Sequence, residues 1–408
     1  MAPRPSAAAP PTVGDHRTFK VCSNLTCSGF DSVGAVAKTV GAHIAIYVDT
    51  LAPSPGMSQV ALDSLAAVFD ARLYPVDTAT FGGVSDIDNN SVVIVLMTGT
   101  VNKLVTANEC NTEGYVAGFF FSGDIDPDFS AQFNNGEIFY SIVADSSATL
   151  SCAHPAGQLE RTMPVTFVHE FQHMINFVQK VRIRGAQSED TWLDEGLARY
   201  AEENAGRSYL ADGDTASFSR FAIDPVFDAY LYMRQPGSSA LLFAADTGGL
   251  APLGAGWLFV RYLVDQFGDS LPRRLVESAQ SGQANVTART GQPFAVIVTR
   301  WGLANWVSDL PGFTAAPELK YTIWHFRTTF ASLHAQDPTD FPLAYPLVPQ
   351  VSQGNAVLLN GRLRAGSGFY QRVKQPPGAA AFTLHFADPN GSNISAVVVP
   401  RLVVLRIR

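Results

Sequence analysis

A chain of 408 residues, 47% hydrophobic and with a mean hydropathy of +0.09, reads as a folded globular protein with ample core rather than a disordered one. Charged residues make up only 16%, the formal net charge is −8 and no Lys/Arg block occurs, so nucleic acid and anionic membranes are poor partners. No apolar run reaches the ~18 residues of a membrane span, and the length calls for two or three domains or lobes.

Residues 1–15, MAPRPSAAAPPTVGD, have no apolar h-region and read as a flexible Pro/Ala tail, expected to remain after removal of a leader. Strands are expected at 17–22 (RTFKVC) and 43–48 (HIAIYV), followed by the loop APSPG. From Val60 to Leu73 apolar residues recur at helical spacing. A Gly/Asp/Asn loop, FGGVSDIDNNS, leads to the continuous apolar run 92–97 (VVIVLM), typical of a buried strand, and further strands are expected at 115–121 and 138–143. These elements make an α/β N-terminal lobe over residues 16–160.

Four cysteines occur, Cys22, Cys27, Cys110 and Cys152. An even count with one close pair suits two disulfides in an oxidising compartment, with 22–27 and 110–152 the preferred pairing of the three possible; four reduced, buried thiols are the alternative. Two acidic loops, Asp86-x-Asp88-x-Asn90 and Asp124-x-Asp126-x-Asp128, place alternate oxygen ligands as a calcium ion would need. Neither has the Gly and terminal Glu of an EF-hand loop, and Asx turns explain such clusters more often.

Residues 161–317 are expected to form a helical lobe. Its first helix has Thr162 as a candidate cap, Pro164 in the first turn and Gly185 as the breaker, and apolar residues surround it almost completely. It carries His169-Glu170-Phe171-Gln172-His173, an H-E-x-x-H match. Four residues turn a helix by about 400°, so the two imidazoles share one face, one turn apart. Such a pair can hold one zinc ion and leave Glu170 beside it as general base. By chance the motif arises about once in a hundred chains of this length, so alone it is only moderately specific. Ionisable groups on a buried helix are costly unless paired or metal-bound, which argues for a purpose. A catalytic zinc takes three protein ligands and keeps one position open, and Glu195, in Trp192-Leu193-Asp194-Glu195-Gly196 on the next helix, is the expected third. Asp194, Glu202 and Asn176 are candidates to orient the histidines.

Further helices are expected at 256–267, 270–280 and 293–308. After residue 318 short apolar runs (NAVLLNGRL, FYQRV, AAFTLHF, ISAVVVP, LVVLRIR) alternate with Gly/Pro/Asn turns, which reads as an antiparallel β-domain over 318–408. No G-x-S-x-G element follows an apolar strand, so a Ser-His-Asp hydrolase has no support.

The segment from His169 to Phe177 together with Trp192-Leu193-Asp194-Glu195-Gly196 resembles the gluzincin class of zinc peptidases, and within it the hyicolysin-like family of bacterial neutral metallopeptidases. VGDHRTFKV, FGGVSDIDNN and GWLFVRYLVDQFG extend the likeness over about residues 12–310. The resemblance implies an α+β, thermolysin-like zincin catalytic domain. It also implies zinc on His169, His173 and Glu195, Glu170 as the catalytic residue, and a secreted endopeptidase acting on proteins or peptides. Two departures matter. The G-x-M-E-N segment by which related aminopeptidases hold a free amine is absent, which favours endopeptidase action. Their P-Y-x-x-G tyrosine is replaced by Leu253 in Pro252-Leu253-Gly254-Ala255-Gly256, so the oxyanion donor comes from elsewhere or is absent; Tyr230 and Tyr232, and more weakly Tyr200 and Tyr262, are candidates, though such tyrosines are more often packing aromatics. The competing reading is a secreted adhesion protein with a non-catalytic zinc and a β-sandwich for recognition.

Overall fold

The structure, a computed structural model, describes residues 9–244, 249–357 and 359–407. Residues 1–8 of the expected tail lie outside the described residues. By internal compactness the chain divides into two units: Met1–Glu189 with Ala198–Ile223 and Pro272–Gln280, and Asp190–Leu197 with Asp224–Leu271 and Ser281–Arg408.

In the first unit, β1 (His16–Cys22), β2 (Phe30–Val40) and β3 (Ile44–Asp49) are followed by α1 (Gln59–Val68) and α2 (Tyr74–Phe81), which a wide helical turn at Phe69–Leu73 joins without a break. Then come β4 (Val93–Met97), the short α3 (Gly99–Asn102) and α4 (Ala107–Thr112), β5 (Gly118–Phe120), β6 (Ile138–Ser141) and α5 (Ala156–Phe177). The strands form one mixed sheet in the order β1-β2-β3-β4-β6-β5. The pairs β3/β4 and β4/β6 are parallel and the others antiparallel, so β5 is an antiparallel edge. β4 and β6 are buried at every position, as continuous apolar strands covered on both faces should be. β2 was not expected. Its buried positions, Val33, Ala35, Ala37 and Thr39, alternate properly but are small, so the strand has little hydrophobic signal.

Both preferred disulfides are present, Cys22–Cys27 and Cys110–Cys152. The second spans 42 residues, a long loop whose closure restrains the unfolded chain by about 3–4 kcal/mol in the chain-entropy account.

α5 begins six residues before the expected start. Residues 156–161, AGQLER, are good helix formers and propagate the helix back to Pro155. Thr162 is therefore no cap; its hydroxyl bonds back to the Gln158 carbonyl at 3.2 Å, and Pro164 sits inside the helix. Beyond Phe177 a wide turn runs to Arg182, and Gly185 (φ +62°) ends the helical stretch as its sequence position suggests.

α6 (Thr191–Ala211) runs on through Gly206. α7 (Thr215–Arg234) was not expected, because Asp224-Pro225 and the scattered serines mask a helix that tolerates an internal proline. α8 (Leu250–Phe267), α9 (Leu271–Val276), α10 (Gly282–Thr290), α11 (Phe294–Val307) and α12 (Phe326–Gln336) follow. The second unit is built around aromatic side chains. Tyr232 stacks on Trp301 at 5.7 Å, Phe259 meets Trp301 edge-on at 5.4 Å, and Trp257 meets both Trp324 and Phe326 edge-on.

The antiparallel β-domain expected over 318–408 does not form among the described residues. Residues 326–336 are helix, and β7 (Gln350–Gln353) and β8 (Gln371–Lys374) make one short parallel pair. The apolar runs behind that expectation are partly exposed, as at Leu363, Phe386, Val397 and Val404, whereas Leu405 and Ile407 lie against the cluster of Val307, Ala315 and Leu319. Runs that find their cover on helices have no facing sheet to pair with.

Candidate metal centre

α5 is buried on nearly every side. Phe167 meets Phe139 of β6, Phe171 packs against Phe69 and Tyr74, and Phe177 lies against Phe120 of β5. From Met163 to Phe177 only Thr166, His169 and His173 are not buried, and Thr162 continues their stripe one turn earlier. Their spacings of four, three and four residues place all four on one helical face. From Met163 onward the histidines thus occupy the one stripe of α5 that is not buried.

Their geometry suits a shared ion. His169 Nε2 and His173 Nε2 are 3.1 Å apart with the rings nearly perpendicular, at 75°. Two nitrogens each about 2.0–2.1 Å from a tetrahedral zinc stand about 3.3 Å apart, so the pair needs little adjustment. One ligand atom from each of His169, His173 and Glu195 lies within 4.8 Å of the others. The other ring nitrogen of His169, Nδ1, is 2.7 Å from Glu202 Oε1, and Glu202 is 1% exposed. A carboxylate there accepts the Nδ1 proton and leaves the Nε2 lone pair free to bind. Arg199 Nη1 lies 3.0 Å and 3.3 Å from the two Glu202 oxygens and fixes the orientation of that carboxylate. Of the three orienting candidates, Glu202 is the one this contact singles out. The two-histidine, one-carboxylate set with an oriented imidazole fits zinc.

Glu195 is positioned by its neighbours in sequence. Trp192, 3% exposed, packs edge-on against Phe259 of α8 and Phe294 of α11. One residue past Glu195, α6 crosses α8 glycine to glycine: a Cβ built on Gly196 would stand 2.8 Å from the Gly256 carbonyl oxygen, and one on Gly256 would stand 3.1 Å from the Trp192 carbonyl oxygen. The Gly of Trp-Leu-Asp-Glu-Gly is therefore a packing residue that lets two backbones approach. Gly196→Ala should force the helices apart and destabilise the fold by about 1–3 kcal/mol. Urea denaturation of the variant measures this, with an unchanged midpoint counting against the close crossing.

The segment between α5 and α6 is tied from within. Lys180, fully buried, pairs with Glu189 at 2.9 Å and donates to the carbonyls of Ser278 (3.3 Å) and Gln280 (2.7 Å). Removing one partner would leave a charge without compensation, so this loop has little freedom.

Glu170 is 7% exposed and lies close to the sheet edge; a Cβ on Gly118 of β5 would stand 3.5 Å from its Cγ and 2.7 Å from both Thr166 Cγ2 and the Tyr140 carbonyl oxygen. Asp77 of α2 was not anticipated. It is fully buried with no hydrogen-bond partner for either oxygen, and burial pushes its pKa well up, with the charge of His169 opposing. A lone Asp in an otherwise unremarkable helix has no signal in the sequence.

The proposed oxyanion tyrosines are engaged elsewhere. Tyr230 OH bonds the Leu343 backbone, donating to O at 3.1 Å and accepting from N at 2.6 Å. Tyr232 OH is 2.8 Å from Ser367 Oγ, and Tyr262 OH donates to the Glu318 carbonyl at 2.7 Å. All three are packing residues, and Tyr200 is buried against Phe81.

The calcium loops resolve mainly into local hydrogen bonding. Asp126 accepts from Asp128 N at 2.8 Å, an Asx turn, and buried Asp124 takes bonds from Asn134 and the Tyr140 hydroxyl. Burial nonetheless raises Asp124 to about 6. Asp86, Asp88 and Glu137 approach one another, but Asn90, Ser91, Ser85 and Ile87 already donate to them. Nothing further supports calcium. His154 lies 3.8 Å and 3.6 Å from the sulfurs of Cys110 and Cys152, which are oxidised and offer no thiolate.

No protein-family model matches the chain. A neutral metalloprotease, ShpI, of Staphylococcus hyicus is 30% identical over 136 residues, 33% of this chain and 28% of that protein. The chain is distantly similar to a bacterial neutral metalloprotease. The match spans under a third of that relative's length, and the specific hyicolysin-like assignment goes further than this likeness. Among the described residues no helix is long and apolar enough to cross a membrane.

Proposed function

We propose that this protein is a secreted zinc endopeptidase of the gluzincin kind, with His169, His173 and Glu195 as metal ligands and Glu170 as general base. The observation that carries the reading is the pair of Nε2 atoms 3.1 Å apart with Glu202 on the far nitrogen of His169. The likeness to a neutral metalloprotease supports it independently. Two disulfides favour an extracellular setting, and the missing G-x-M-E-N segment favours internal cleavage.

Bound zinc would supply a Lewis acid that makes water acidic near neutral pH and polarises a carbonyl. Glu170 takes the proton of the attacking water and delivers it to the leaving amine. Glu202 keeps the proton of His169 on Nδ1 and its ring in place. β5 is the sheet's edge, and Gly118 there lies against Thr166 and Glu170, so an extended peptide adding to that edge passes the general base.

The adhesion reading relied on a β-sandwich over 318–408, and no such sandwich is present among the described residues. The decisive experiment is casein hydrolysis by the full chain. Activity should vanish with a zinc chelator and return with added zinc, and metal analysis should find one equivalent bound. Hydrolysis indifferent to chelation, or a folded chain that binds zinc yet cleaves nothing, would overturn the proposal.

A further inference from the structure

Apart from the metal centre, the second unit contains a cavity of ≈ 450 Å³. Its walls include Arg234 at the end of α7, Arg364, Gln235, Ser239 and the first-turn residues Ala251 and Pro252 of α8. The cavity is cationic in a chain whose net charge is −8. Neither arginine has an ion-pair partner among the described residues, and no acidic side chain lines the space. α8 is 18 residues long, has no acidic residue in its first turn and no side-chain cap at Gly249, so among the described residues no acidic group stands at the positive end of its dipole. Ser239 is 8% exposed and its hydroxyl has no hydrogen-bond partner, a buried donor still to be satisfied.

The walls are built rather than incidental. The turn that carries Arg364 is fastened to the segment after α7: Leu241 N and Leu242 N donate to the Ala365 carbonyl at 3.0 and 3.1 Å, and Ser367 Oγ donates to the Pro236 carbonyl at 2.6 Å. Two guanidinium forks, a helix N-terminus and a spare hydroxyl make a receptor for a planar anion. Location narrows the anion. Ala251 and Pro252 precede Gly256 by four or five residues, about 6–8 Å along the helix, and Gly256 packs on Gly196, the neighbour of Glu195. The cavity and Glu195 are thus linked through α8 and its crossing with α6.

We propose that this cavity is a specificity subsite for a carboxylate of the peptide substrate, held by Arg234 and Arg364. This rests on the peptidase reading above. Its carboxylate comes from an acidic side chain or from a peptide C-terminus, and the test separates them. Peptides differing only as Glu against Gln, scanned through each position on both sides of the cleaved bond, and as free acid against amide at the C-terminus, are compared on the wild type and on the R234Q/R364Q double variant. Both arginines are exposed, so the fold should survive the change. The wild type should prefer one acidic member of these pairs by about tenfold or more in kcat/KM, and the ratio should fall to about one in the double variant. Equal rates for the members of every pair, or a preference that survives both substitutions, would overturn the subsite. Binding supplies the second measurement. N-acetyl-Ala-Glu-amide and N-acetyl-Ala-Gln are titrated calorimetrically into the full chain carrying E170Q, with and without the arginine substitutions. Saturable binding of one of them that weakens at least tenfold on loss of the arginines supports the site even if no peptide is cleaved, in which case only the peptidase reading fails. Binding of neither overturns it.

Discussion

Glu170→Gln should bind zinc as the parent does and lose hydrolysis by about 10²- to 10⁴-fold in kcat, the usual worth of a positioned general acid–base group. Gln has nearly the same shape, so the packing of residue 170, 7% exposed and close to Gly118, is preserved. What is removed is the capacity to accept a proton from water and pass it to the leaving amine. The ligands are untouched, so metal content and thermal stability should stay at parental values. Casein turnover, zinc analysis and a melting curve on one preparation separate the outcomes. Turnover near the parental rate would show that another group handles the proton and would sink the assignment of Glu170. Loss of zinc together with turnover would move the residue from base to ligand. Tyr230, Tyr232 and Tyr262 engage their hydroxyls with Leu343, Ser367 and Glu318, so none of the three is the oxyanion donor.

What could be read from the residues alone follows from how local the signal is. His169 and His173 are four apart on one helix, so helical periodicity suffices to bring their rings together. The burial of that helix is likewise visible in its unbroken apolar surround. β4 and β6 were legible because strands covered on both faces are apolar at every position. β2 escaped because Ala35, Ala37 and Thr39 fill its buried face with little hydrophobicity. α12 and the segment after it were misread for the opposite reason: FRTTFASLHAQ and the later runs have aromatic and β-branched content that suggests strand. Tertiary cover from neighbouring helices decides their state, and periodicity cannot report that. Within the site, Glu202 was one candidate among three, because a contact across 33 residues of sequence depends on how α5 and α6 are fixed. The start of α6 is held by Trp192 against Phe259 and Phe294 and by the glycine crossing at Gly196, and the stretch after α5 by the buried Lys180–Glu189 pair. None of these has a spacing rule.

Glu202→Gln should leave the fold standing and weaken zinc binding by about 10- to 100-fold, the range seen when the partner of a metal-bound histidine is altered. The carboxylate has two functions. It accepts the Nδ1 proton of His169 at 2.7 Å, which fixes the tautomer that presents Nε2 toward His173. It also lends negative charge to the ring and so strengthens its nitrogen as a donor. Glutamine can turn its carbonyl toward Nδ1 and keep the first function in part, but the second is lost with the charge. Arg199, 3.0 Å from the same oxygen, then faces a neutral amide, and that cost falls on the metal-free protein as well. Zinc affinity must therefore be measured separately from stability, by competition with a chromophoric chelator beside urea unfolding of the metal-free chain. A variant that unfolds more easily yet binds zinc with parental affinity would make Glu202 a partner of Arg199 only. A variant with weakened zinc affinity and a metal-free stability shift too small to account for it would make Glu202 part of the metal centre, acting through His169.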